Sequence, residues 1–88
     1  MLQYQNDPRQ QLRELIELLT QDPRVKVIYA QQTKGRIIVH TVVSDLEGIA
    51  NNPPVARRRG SPFEILYLGT GSKKPPKDSE EVYRRPSD

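Results

Sequence analysis

A chain of 88 residues with 14 Lys and Arg, 11 Asp and Glu, a formal charge of +3 and no cysteine has room for one domain and not for two. It excludes disulfides and thiolate metal sites, and the lone His40 cannot complete a zinc site, so neither metal nor cofactor is expected. No apolar run nears the ~18 residues a membrane helix needs, and the start MLQYQNDPRQ lacks the basic and apolar stretches of a secretory signal, which predicts a cytoplasmic protein without membrane contact.

The first element in the chain is a helix, predicted from about Pro8 to Thr20. Asp7 suits its cap, Pro8 its first helical position and Gln10 the third position of a capping box, while Leu12, Leu15, Ile16, Leu18 and Leu19 recur at helical spacing as one apolar stripe. Arg13 and Glu17, four residues apart on the wetter side, form a weak pair. Asp22 before Pro23 marks the end, since a residue preceding proline avoids the α region.

Arg24 to Gln32 and Arg36 to Val43 are rich in β-branched residues and flank Thr33-Lys34-Gly35, whose glycine suits a tight turn; the pattern predicts a β-hairpin. With Lys34 and Gly35 as loop residues, Gln31 faces Ile38, Tyr29 faces His40 and Val27 faces Val42 on one surface. Ile28, Ala30, Ile37, Val39, Thr41 and Val43 then share the other. Both surfaces carry apolar side chains, so each needs a cover.

Ser44-Asp45 caps a short helix from Leu46 to about Asn51, which Asn52, Pro53 and Pro54 terminate. Beyond Val55 and the arginine run, Phe63 to Leu68 reads as a third strand, with Phe63, Ile65 and Tyr67 on one side, Leu66 and Leu68 on the other, and Gly69, Thr70 and Gly71 closing it. From Ser72 onward the composition is that of a solvated segment with only Val82 and Tyr83 to bury.

The expected fold is therefore α+β, in the order α-β-β-α-β: a small three-stranded antiparallel or mixed sheet with one long N-terminal helix, one short helix and a disordered C-terminal tail. Residues 1–71 form the single compact domain and residues 72–88 a basic, proline-rich flexible tail. One helix shields one side of a sheet, so the two-sided apolar pattern predicts a homodimer through a face or an edge.

The charge is local. Six basic residues balance six acidic ones up to Pro54, whereas Pro53 to Lys77 holds six basic residues against Glu64 alone. Arg57, Arg58 and Arg59, with Lys34, Arg36, Lys73, Lys74 and Lys77, offer a nucleic-acid-binding or anion-binding surface, because consecutive guanidinium groups bind phosphate oxygens bidentately. The plainer account of such a run is a solvated loop. Val82, Tyr83, Arg84 and Arg85 form a segment suited to dock on a partner and order as it binds.

Three weaker signals complete the inventory. Tyr29, His40 and Arg36 resemble the groups that small metal-free ribonucleases use, yet a histidine between Val39 and Thr41 is more often structural. Gly69 to Lys74 follows a strand as phosphate loops do, but Pro75 and Pro76 forbid the helix such a loop opens. The paired carboxylates Asp45 with Glu47 and Glu80 with Glu81 lack further ligands at metal spacing.

The reading that leads is a small, non-enzymatic binding or regulatory module that presents the Arg57 to Arg59 loop and the basic tail to nucleic acid or an acidic protein surface. Its alternative is a protein-interaction subunit that docks through an apolar sheet face or the tail, and a weaker one is a ribonuclease built on His40.

Overall fold

The computed structural model describes residues 8–55, 63–71 and 75–86. Two helices, α1 (Pro8–Thr20) and α2 (Leu46–Asn51), accompany four strands, β1 (Val25–Thr33), β2 (Arg36–Val43), β3 (Phe63–Gly69) and β4 (Ser79–Arg84). The class is α+β, as composition and periodicity predict.

The strands form one mixed sheet in the order β3-β2-β1-β4. β1 and β2 are the antiparallel hairpin, in the register that a Lys34-Gly35 turn dictates: Gln31 faces Ile38, Tyr29 faces His40 and Val27 faces Val42. Gly35 has a φ of 65°, in the left-handed region where a Cβ would be strained. β3 runs parallel to β2, with Ile37 beside Phe63, Val39 beside Ile65 and Thr41 beside Tyr67. A parallel neighbour requires a crossover, and α2 with the segment after it supplies one.

The sheet has four strands where the sequence suggested three. The extra one comes from the expected tail: Ser79 to Arg84 pairs antiparallel with β1, so that Ile28 meets Tyr83 and Tyr29 meets Glu81. Its sequence, SEEVYR, lacks the alternation that marks a half-buried strand. Pairing to β1 and contact of Val82 and Tyr83 with the core supply what local propensity does not. The antiparallel-or-mixed expectation resolves to mixed.

Both helices pack on the same side of the sheet. Leu15 and Leu19 of α1 and Ile49 of α2 are buried in one cluster with Val25, Ile28, Val39 and Val43. Leu12 and Ile16 flank it, but Leu18 stays 47% exposed and does not belong to the stripe. At 100° per residue it lies on the far side of Leu15 from Ile16, beyond the reach of the sheet. Asp45 caps α2, its Oδ1 accepting from the Gly48 amide at 3.0 Å. The Asp7 cap proposed for α1 falls outside the described residues.

Candidate interaction face

The side of the sheet away from the helices is a regular grid. Because the register runs through all four strands, three rows of side chains can be read across β3, β2, β1 and β4. They are Glu64, Ile38, Gln31 and Ser79; then Leu66, His40, Tyr29 and Glu81; then Leu68, Val42, Val27 and Arg84. Bulges in the β1 pairings, near Val25 and Val27 on one side and Ile28 and Tyr29 on the other, keep these residues in phase despite a count that would otherwise slip.

Six apolar or aromatic residues, Leu66, Leu68, Ile38, Val42, Val27 and Tyr29, surround His40 on this face. Among the described residues no helix lies over them. Leu66 is the large hydrophobic residue of the sheet most open to water, at 36% exposure. Charges sit at two diagonal corners and are paired there: Arg36 donates to Glu64 at 2.8 Å and Arg84 to Glu81 at 2.8 Å. The face is thus apolar in the middle and neutral at its rim.

His40, at 8% exposure, is fixed by a relay. Gln31 donates its Nε2 hydrogen to the Lys77 carbonyl oxygen at 3.0 Å and turns its Oε1 to His40 Nε2 at 2.9 Å. With its amide nitrogen committed, Gln31 has only an oxygen to offer, so His40 carries a proton on Nε2. Burial holds the His40 pKa below its ordinary value of 6.5, with the Glu64 carboxylate opposing that shift. The ring is a structural member of the face. Tyr29 is its cross-strand neighbour, as the hairpin register requires, but Arg36 is bound to Glu64, so the three ribonuclease-like groups do not converge.

The basic candidates fare differently from one another. Arg57, Arg58, Arg59, Lys73 and Lys74 lie outside the described residues. Arg36 and Arg84 are engaged at the rim. Lys34, in the hairpin turn, and Lys77, before β4, are exposed at the same end of the sheet. Arg85 faces inward: Nε donates to Val25 O at 2.8 Å and Nη2 to Thr20 O at 2.9 Å and Asp22 O at 3.0 Å. Val82 and Tyr83 pack against the chain's own core, and the Arg85 guanidinium lies 5.9 Å from the Tyr83 ring centre.

Sequence reasoning missed Arg85 as a structural residue because its acceptors lie 60 to 65 positions away. It also missed Leu66 and Gln31 as members of a shared face, since strand order could not be read. Among the described residues, no group of three or more acidic or histidine side chains is placed to hold a metal ion, and no helix is long and apolar enough to cross a membrane. No protein-family model, curated protein or solved structure matches the chain.

Proposed function

We propose that this chain is an interaction module that docks a protein partner on the helix-free face of its sheet. The observation that carries the reading is the apolar block of Leu66, Leu68, Ile38, Val27 and Tyr29 around the already buried Val42, bordered by two internally neutralised ion pairs. Apolar side chains gathered on one sheet face are stabilised when a partner removes them from water, by about 25 cal/mol per Å². Rim charges that are already paired add register to such contacts more than affinity. The partner surface that fits is apolar at its centre and uncharged overall.

Capture from the native cell with wild-type chain and with Tyr29→Lys tests this. Tyr29 sits in the middle of the face and outside the core cluster, so the substitution alters the surface and leaves the fold. Loss of at least tenfold of a specifically captured protein, reproduced with that protein purified, is the expected result. Undiminished binding by Tyr29→Lys overturns the reading.

The second reading is contact with nucleic acid or an acidic surface through Arg57 to Arg59, Lys73 and Lys74, joined by Lys34 and Lys77 at the exposed end of the hairpin. The local excess of positive charge supports it. Its mark is affinity that falls steeply with salt and flattens when Arg57, Arg58 and Arg59 become alanine. Absence of binding to DNA or RNA at low salt removes it.

A further inference from the structure

The two edges of the sheet are built differently. β4 is six residues long, carries Glu80 and Glu81, and is paired through a bulge. Pro75 and Pro76 precede it, Pro86 follows it, and Asp78 just before it holds a φ of 60°. Each of these features discourages a further strand from joining. β3 shares with that edge only a preceding proline, Pro62, and a single carboxylate. Its seven residues include one charge, Glu64, and no proline, and its register against β2 is unbroken. Among the described residues no strand lies on its outer side, where main-chain donors and acceptors form a template for another strand.

We propose that a second copy of this chain pairs antiparallel with β3 across a two-fold axis at Leu66, joining two four-stranded sheets into one of eight strands. The residues of β3 are suited to themselves in this register. Leu66 meets Leu66 of the second copy, Ile65 meets Tyr67, Glu64 meets Leu68 and Phe63 meets Gly69. The Phe63 ring lies beside the one residue without a side chain, and a Cβ built on Gly69 has nothing within 4 Å. The single carboxylate never faces its own copy, and it is already neutralised by Arg36. Centring on Leu66 also uses all seven residues of the strand, which no other centre does.

A two-fold axis perpendicular to the sheet keeps the helices of both copies on one side. The Leu66 side chains of the two copies then meet at the middle of the doubled face, with Leu68 of each beside Glu64 of the other. The pairing itself uses main-chain groups of the edge, so it stands or falls separately from the reading of that face as a docking surface.

The chain has no cysteine, so one introduced thiol reports on one position. Directly opposite residues of an antiparallel pair have Cβ atoms about 4.5 to 5.5 Å apart, close to disulfide reach. Leu66→Cys is expected to form a covalent dimer under mild oxidation in many-fold higher yield than Leu18→Cys, whose position on α1 is exposed at 47%. Sedimentation equilibrium of the unmodified full chain is expected to give twice its 10.1 kDa mass. Leu66→Glu, which sets two carboxylates together at the axis, raises the dimer dissociation constant at least tenfold, whereas Tyr29→Lys leaves it unchanged. A monomer at every soluble concentration overturns the proposal. So does equal cross-linking through Leu18→Cys, or stronger cross-linking through Tyr29→Cys, the signature of sheets stacked face to face.

Discussion

The Arg85 guanidinium donates from Nη2 to the carbonyl oxygen of Thr20, the last residue of α1, at 2.9 Å. The same side chain reaches Asp22 O and Val25 O, so three carbonyls around the helix end and the start of β1 share one cation. Such oxygens have no partner inside the helix, and positive charge is favourable there. Arg85→Met keeps the apolar stem and removes every donor. The expected loss is about 2 to 3 kcal/mol of unfolding free energy, since hydrogen bonds to charged groups carry about 1.5 to 3. An unchanged urea midpoint would show that the three contacts contribute nothing.

The other cations near the sheet predict the opposite. Arg36 and Arg84 are 61% and 58% exposed in their ion pairs, where water screens the attraction and ordering the side chains offsets it. Arg36→Gln and Arg84→Gln are expected to leave the urea midpoint within experimental error. A loss matching that of Arg85→Met would contradict this.

Deleting residues 79–88 removes β4 and Arg85 together. β1 loses one of its two neighbours, and the core loses Val82 and Tyr83. Half-burial of those two side chains and the charged contacts together set a loss of roughly 4 kcal/mol or more, a large part of the stability of a domain this small. Hydrogen exchange should quicken along β1 first. Unaltered protection there would mean that β4 contributes little.

Thr41 and Tyr67 lie side by side in β2 and β3, under the helices, and neither hydroxyl has a hydrogen-bond partner among the described residues. Thr41 is fully buried, so its Oγ1 costs desolvation with nothing in return. Thr41→Val replaces the hydroxyl with a methyl of similar shape and should stabilise the fold by about 1 kcal/mol. Burial also raises the Tyr67 pKa above its ordinary value of 10.0. A Thr41→Val midpoint below the wild type would place an unseen partner on Oγ1.

The pH dependence follows from His40, whose folded pKa is lowered from 6.5 chiefly by burial. Below 6.5 the unfolded chain binds the proton more readily than the folded one, so stability is full above that value and declines as pH falls through the lower folded pKa. His40→Gln should flatten the part of the stability profile that begins at pH 6.5 and runs downward. NMR titration of the ring reads the same shift directly. A folded pKa above 6.5 would reverse the sign.

Local signals in the sequence were enough to place α1, the hairpin register, α2 and β3. Lys34-Gly35 fixes the turn, and a turn of known length fixes every cross-strand neighbour of the hairpin, including Tyr29 with His40. β4 was not legible because its strand character comes from pairing with β1, far away in the sequence. Glu80, Glu81 and the flanking prolines read as solvated tail. The interaction face was half legible: alternation put Leu66 and Leu68 on one side of their strand, but only the β3-β2-β1-β4 order joins them to Val42 and Val27. Leu18 misled because a leucine in a helix reads as core until the width of the buried stripe is known.

The position of β4, last in the chain yet beside the second element, sets an order of events during synthesis. α1, the hairpin, α2 and β3 can assemble as they leave the ribosome, with the outer side of β1 bare and the carbonyl of Thr20 without its Arg85 donor. Contacts of such long sequence separation close late, after loop entropy has been lost. In that interval β1 is an open edge of the sheet, and arrival of Ser79 to Arg85 replaces it with the short, acidic and proline-flanked edge of β4.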